Sequence, residues 1–171
     1  MFSIKTYSIQ DCIRYIDSTT ITSSSSKITI SKIADYTSDF QLTAVYKRTV
    51  SNNNGTGIGV SNQLVDNATA PSNISDIYLG GWASTKGLGI NTNGTWNGNN
   101  RTSGALTQNT EYLLDFKVQS GSVITTITQV SNSSQVYTKT LTLPYSITNF
   151  YIAFIVTDST VQYTDVKLKP L

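Results

Sequence analysis

Six runs of this chain alternate side-chain character with a period of two: Lys27 to Ile33, Asp39 to Lys47, Tyr112 to Val118, Ser122 to Val130, Gln135 to Leu143 and Gln162 to Leu168. On an extended backbone successive side chains point to opposite faces, so each run reads as a strand with one face turned to a core. Turn signals separate the runs at the spacing of a sandwich, roughly 8 to 12 residues. They are Asn52-Asn53-Asn54-Gly55, Asn67 to Asn73 with Pro71, Ser120-Gly121, Asn132-Ser133 and Asp158-Ser159. Thr, Ile, Val and Tyr supply 64 of the 171 residues, a bias toward side chains that fit a pleated surface. Asn149 to Val156 (NFYIAFIV) is apolar on both faces, as a central strand covered on both sides would be. In Gln135 to Leu143, Val136, Thr138, Thr140 and Thr142 share one face and Tyr137, Lys139, Leu141 and Leu143 the other. Both faces are mixed, so the inner one stays open. The one hint of helix is a turn near Ile9 to Ile16. The expectation is an all-β, antiparallel two-sheet sandwich in residues 18–171, preceded by an N-terminal arm or first strand in residues 1–17.

Composition then removes classes of chemistry. The chain has no histidine, one glutamate (Glu111), nine aspartates and one cysteine (Cys12). A Ser-His-Asp or Cys-His nucleophile lacks its base, and a usual zinc site lacks its ligands. Glu111 and Asp115 are the nearest mixed carboxylate pair. Four residues of strand span roughly 13 Å, beyond the roughly 5 to 9.5 Å used in glycoside hydrolysis. The chain is therefore read as not an enzyme. Cys12 forms no disulfide within the chain and reads as a small buried hydrophobe. Basic residues number 12 and acidic 10, scattered singly apart from Lys47-Arg48, which leaves no stripe for a phosphate backbone. The longest apolar run, Phe150 to Val156, is far short of the roughly 20 residues needed to span a bilayer. MFSIKTYSIQDC has no apolar segment behind a basic one, so a chain made in a cytoplasm is expected, one that stays there or leaves by a route it does not encode. On that expectation the sequons at Asn54, Asn67, Asn73, Asn93, Asn100 and Asn132 stay unmodified. Gly87 to Asn91 (GLGIN) lacks the Lys-Ser/Thr of a phosphate loop.

What remains points to recognition. Gly80 to Gly104 holds both tryptophans, seven of the eleven glycines and five asparagines. A sugar offers an apolar C–H face and a rim of hydroxyls, so a site for it wants a flat ring for the face and amide or guanidinium groups for the rim. Trp82, Trp96, Asn97, Asn99 and Arg101 have those chemistries, with Asn100 beside them. Trp82, in IYLGGWA, also fits as an inward core ring. Trp96, with glycines two residues away on both sides, reads as the exposed one. A second candidate surface is the N-terminal segment, where Phe2, Ile4, Tyr7 and Ile9 alternate. They suit a first strand of the sandwich, or an arm that docks the domain on a larger assembly or trimerises it by adding to a neighbour's sheet edge.

Three further stretches carry a resemblance. TQNTEYLLDFKVQSGSVITTITQ, LPYSITNFYIAFIV and the closing VQYTDVKLKPL resemble concanavalin A-like (laminin G-like) jelly rolls. The opening half, QDCIRYID and then TSDFQLTAVYKRT, is similar to modules in surface and tail-fibre proteins of viruses and proviruses of methanogenic archaea. The resemblance implies a jelly-roll head on a virion surface, in a fibre, tail or capsid component. Its implied partners are host-surface glycan, other virion proteins and further copies of the chain, a trimer by preference. The two other readings are a capsid decoration protein without ligand, and a cellular adhesin or carbohydrate-binding module. Glucanases of this fold carry an E-x-D-x-x-E strand, which one glutamate cannot supply. Legume-type lectins of the superfamily hold calcium and manganese with clustered acids and amides. Here the Asp35/Asp39 and Asp66/Asp76 pairs read as caps of their own turns, so no cofactor is expected and calcium is the ion left open.

Overall fold

The computed structural model describes residues 4–5, 14–16, 19–23, 26–32, 39–51, 55–62, 75–93, 95–143, 151–156 and 159–171. In chain order the strands are β1 (Ile4–Lys5), β2 (Arg14–Ile16), β3 (Thr19–Ser23), β4 (Ser26–Lys32), β5 (Phe40–Ser51), β6 (Thr56–Ser61), β7 (Asp76–Gly81) and β8 (Thr85–Thr92), followed by β9 (Thr95–Asn97), β10 (Arg101–Ser103), β11 (Glu111–Gln119), β12 (Ser122–Gln129), β13 (Ser134–Thr142), β14 (Tyr151–Val156) and β15 (Ser159–Pro170). Two sheets result. The first runs β1-β2-β15-β5-β11-β12-β13, with β3 also on β15; the second runs β10-β8-β7-β6-β14-β4, with β9 also on β8. All pairings among the described residues are antiparallel. The all-β two-sheet sandwich read from the sequence is the architecture found.

Local chemistry sets the registers. At the β11–β12 hairpin Ser120 and Gly121 have φ of 49° and 73°, the two positive angles whose twist matches that of the flanking strands. Asp39 Oδ1 accepts the Ser120 N–H at 2.9 Å, tying the turn to the start of β5. In the β12–β13 turn Asn132 Oδ1 accepts the Ser134 N–H at 3.1 Å. The mixed faces of Gln135 to Leu143 have a structural cause. Ile127 pairs with Tyr137 but Thr128 with Gln135, so Val136 is the extra residue of a bulge. Tyr137 is buried, and Val136, Leu141 and Leu143 all pack on the core. β14 pairs with β4 and β6 and buries five consecutive residues from Ile152 to Val156, as a run apolar on both faces requires. The helical turn near Ile9 to Ile16 is corrected at its end: Arg14–Ile16 is strand, because the edge of β15 offers it a ladder at Val166 to Leu168.

Phe40, Leu42, Tyr46, Phe116, Phe154 and Tyr163 are among the fully buried side chains between the sheets. Two tyrosines bolt the sheets together. Tyr46 Oη lies 2.6 Å from Thr56 Oγ1, and Tyr163 Oη donates to the Gly57 carbonyl at 2.8 Å. Burial pushes both phenols above their ordinary range, Tyr163 furthest, because a phenolate there would lose its water. Cys12, Asp35, Asp66, Phe2, Tyr7, Ile9 and the turn signals at Asn52 to Asn54 and Asn67 to Asn73 lie outside the described residues. Ile4, the remaining member of the proposed assembly set, pairs with Ile16 in the β1–β2 ladder.

Candidate functional site

The outer face of the second sheet is floored by glycine where β6, β7 and β8 run side by side. One row across it is Gly57, Gly80, Gly87 and Arg101; the next holds Gly59, Tyr78 and Gly89; the third holds Ser61, Asp76, Asn91 and Trp96. At Gly80 a Cβ would sit 1.8 Å from the Thr56 carbonyl oxygen, so the close approach of β6 and β7 demands glycine. The inward positions of the same strands, Ile58, Val60, Ile77, Leu79, Leu88 and Ile90, belong to the core.

Aromatic rings fill the space that the glycines leave. Tyr78 stands between Ile77 and Leu79 and therefore points outward. Trp82 follows β7 and folds back, and Trp96 comes from β9. The three ring centroids lie 5.5 to 5.9 Å apart, the separation of interacting aromatic pairs. A Cβ on Gly89 would meet Trp96 at 2.3 Å and Trp82 at 3.0 Å, so both rings lie on that residue. Tyr78 and Trp82 are each 8% exposed, whereas Trp96 is 42% exposed. Trp82 is thus the buried support, packed with Tyr78 and Ile155, and Trp96 the outward surface. Burial holds the Tyr78 hydroxyl well above its ordinary range, against the pull of the Arg101 cation.

A bulge brings Arg101 to the rings. β9 and β10 are two halves of one edge strand along β8. Ile90 pairs with Asn97 and Gly87 with Arg101, so Gly98, Asn99 and Asn100 stand opposite only Leu88 and Gly89. The Arg101 guanidinium lies 4.7 Å from the Trp82 ring and 5.4 Å from that of Trp96, within cation–π range. Its Nε donates to the Gly98 carbonyl at 3.1 Å. A Cβ on Gly98 would lie 2.0 Å from Arg101 Nη2, so that glycine makes room for the cation. From the opposite sheet Tyr137 Oη donates to the Asn100 carbonyl at 2.6 Å and accepts the Leu88 N–H at 3.3 Å, pinning the bulge. Arg48, 2% exposed, donates through Nη2 to the Leu106 carbonyl at 2.9 Å and approaches the Trp82 carbonyl at 3.5 Å, anchoring the other end of the platform.

Of the residues the sequence suggested, Trp82, Trp96 and Arg101 come together. Asn97 and Asn99 are exposed beside them but are not part of the stack. Asn97 alternates to the opposite face from Trp96, and its Oδ1 accepts the Asn99 N–H at 2.9 Å. Tyr78 escaped the sequence reading, although its place between two inward aliphatics followed by Gly-Gly is a visible signal. Asn91 Oδ1, in register with Trp96, is buried and accepts no hydrogen bond.

The carboxylates are arranged otherwise. Glu111 Oε1 lies 3.6 Å from Lys47 Nζ, and Gln41 Nε2 lies 2.8 Å from both oxygens of Asp115, on the outer face of the first sheet. Among the described residues no three His, Cys, Asp or Glu side chains converge as metal ligands would, and no helix is long and apolar enough to cross a membrane.

No family model and no curated protein matches the sequence. Solved structures do match along the chain. The VIP36 exoplasmic/lumenal domain in its Ca2+/Man-bound form superposes with a TM-score of 0.60 at 13% identity, covering 100% of this chain and 82% of that one. The lectin UEA-II complexed with galactose gives 0.58 at 8% identity, over 99% and 91%. The alginate lyase A1-II', a member of polysaccharide lyase family 7, gives 0.52 at 11%, over 79% and 63%. These likenesses define the class: the chain has the concanavalin A-like jelly-roll fold. Lectins and a lyase share that fold, so it assigns no activity by itself.

Proposed function

We propose that this protein is a non-enzymatic carbohydrate-binding jelly roll whose sugar-stacking surface is Trp96, backed by Trp82 and Tyr78 and flanked by Arg101. The observation that carries the reading is a half-exposed tryptophan held rigid on a glycine floor by two buried aromatics and a guanidinium. Stacking on a ring already immobilised loses little side-chain entropy on binding. The polar groups suited to a hydroxyl rim beside Trp96 are the Arg101 guanidinium and the exposed Asn99 amide. Lectin structures of the same fold, VIP36 with mannose and UEA-II with galactose, support the class of ligand. The isolation of Glu111 from Asp115, each engaged by its own partner, supports binding without hydrolysis.

The setting we propose is a virion surface, in a fibre, tail or capsid component that attaches to host glycan as a homo-oligomer, a trimer by preference. Its support is the resemblance of the QDCIRYID and TSDFQLTAVYKRT stretches to viral surface modules. Several weak sites on one particle gain about 10² to 10⁴ in avidity. A glycan array probed with the purified chain and with Trp96→Ala tests the site: binding to a defined set of glycans, lost in the variant, is expected. Equal binding by both proteins would remove Trp96 from the site. Detection of the chain in purified particles, and its absence from host envelopes grown without virus, tests the setting.

A further inference from the structure

We infer that the sugar taken by the platform carries an oxyanion, a carboxylate or a sulfate ester, and that the Arg101 guanidinium reads it. The inference rests on the carbohydrate reading above and adds the charge of the ligand. Arg101 spends Nε on Gly98 and its π face on two tryptophans, but no acceptor engages Nη1 or Nη2 among the described residues. A guanidinium held over two rings with its terminal fork unspent can take a carboxylate or sulfate through paired hydrogen bonds. The ring contacts keep the fork beside Trp96, the exposed tryptophan of the stack.

The local charge agrees. Between Ser75 and Thr110 the chain carries a single carboxylate, Asp76, against two cations, Lys86 and Arg101. Asp76 is 2% exposed and stands two strands away in the Trp96 row. Lys86 lies one register step from Arg101 and gives its Nζ to the Ser103 and Gly104 carbonyls at 3.1 and 3.0 Å. Among the described residues no carboxylate is paired with Arg101, and a neutral sugar would leave its fork unused.

The test is a calorimetric titration of the full chain with three probes: an oligogalacturonate, the same oligomer after carboxyl reduction, and a sulfated galactan oligomer. One charged probe is expected to bind at least about tenfold more tightly than the reduced oligomer, as hydrogen bonds to charged groups ordinarily contribute. Arg101→Gln should bring that probe down to the level of the neutral one. Arg101→Lys, which keeps the charge and loses the fork, should fall between. If Arg101→Gln alters the near-ultraviolet dichroism of the tryptophans, the Arg101→Lys comparison decides. Loss of binding below about pH 4 identifies a carboxylate, and persistence there a sulfate. Equal affinity for all three probes, each lost in Trp96→Ala, would overturn the inference and leave the carbohydrate site standing. Binding of none of the three would overturn both.

Discussion

At the scale of single residues, exposure separates the two tryptophans into different tasks. Trp96, 42% exposed, gives a ligand a face; Trp82, 8% exposed, supports it. Trp96→Ala should weaken glycan binding at least about tenfold, the worth of about 1.4 kcal/mol of stacking, enough to take a weak site below detection, with a melting point within a few degrees of the parent. Trp82→Ala removes a buried ring and should cost about 3 kcal/mol of stability, read as a lower urea midpoint, with binding lost as a consequence. The order of those two effects checks the assignment. Tyr137→Phe deletes the hydroxyl that bridges Asn100 and Leu88. It should cost about 1 kcal/mol and loosen the bulge, so glycan affinity should fall although Tyr137 stands behind the edge strand.

At the scale of elements, the strands that build the platform owe their shape to glycine. Gly89→Val would push against Trp96 and Trp82 at once. The expected result is altered tryptophan fluorescence and lost binding. An unchanged spectrum would mean that the rings do not rest on Gly89. The same glycines explain what the sequence made legible. Strands β5, β11, β12, β13 and β15 alternate apolar with polar side chains and announced themselves. In β6, β7 and β8 the outward partner of each buried aliphatic is often glycine, as in TGIGVS and KGLGINT, so the period of two survives only as apolar against no side chain. These strands are therefore missing from the six alternating runs, and Tyr78, projecting from that floor, went unseen. Trp96 and Arg101 were visible as residue types, but their meeting depends on the one-residue bulge at Gly98 to Asn100. Asn97 was misleading for the same reason, since alternation turns it away from Trp96.

At the scale of the whole molecule, hydroxyls of buried tyrosines cross between the sheets, and this couples stability to alkaline pH. An unfolded tyrosine loses its proton near pH ~10, while burial keeps Tyr46, Tyr78, Tyr137 and Tyr163 protonated to higher pH. Above that point the folded chain binds more protons than the unfolded one. The contribution is therefore complete below pH ~10 and is lost as pH rises from there through the raised range of the buried phenols. Urea midpoints at pH 8 and pH 11 should differ, with the lower value at pH 11; equal midpoints would contradict the burial of these phenols. The two-sheet frame also presents the aromatic platform on its outer face, away from the Tyr46 and Tyr163 bolts, so Trp96→Ala should leave their part of the alkaline transition in place and reduce only that of Tyr78, whose ring it uncovers.

A sugar ring stacked on Trp96 would be seen in a proton NMR titration of a glycan identified on the array, read for saturation transfer and ring-current shifts. Protons on one C–H face of a single sugar residue should receive the strongest saturation and move upfield, and both effects should vanish in Trp96→Ala. Saturation spread evenly over the glycan, or upfield shifts that persist in Trp96→Ala, would contradict that stacking.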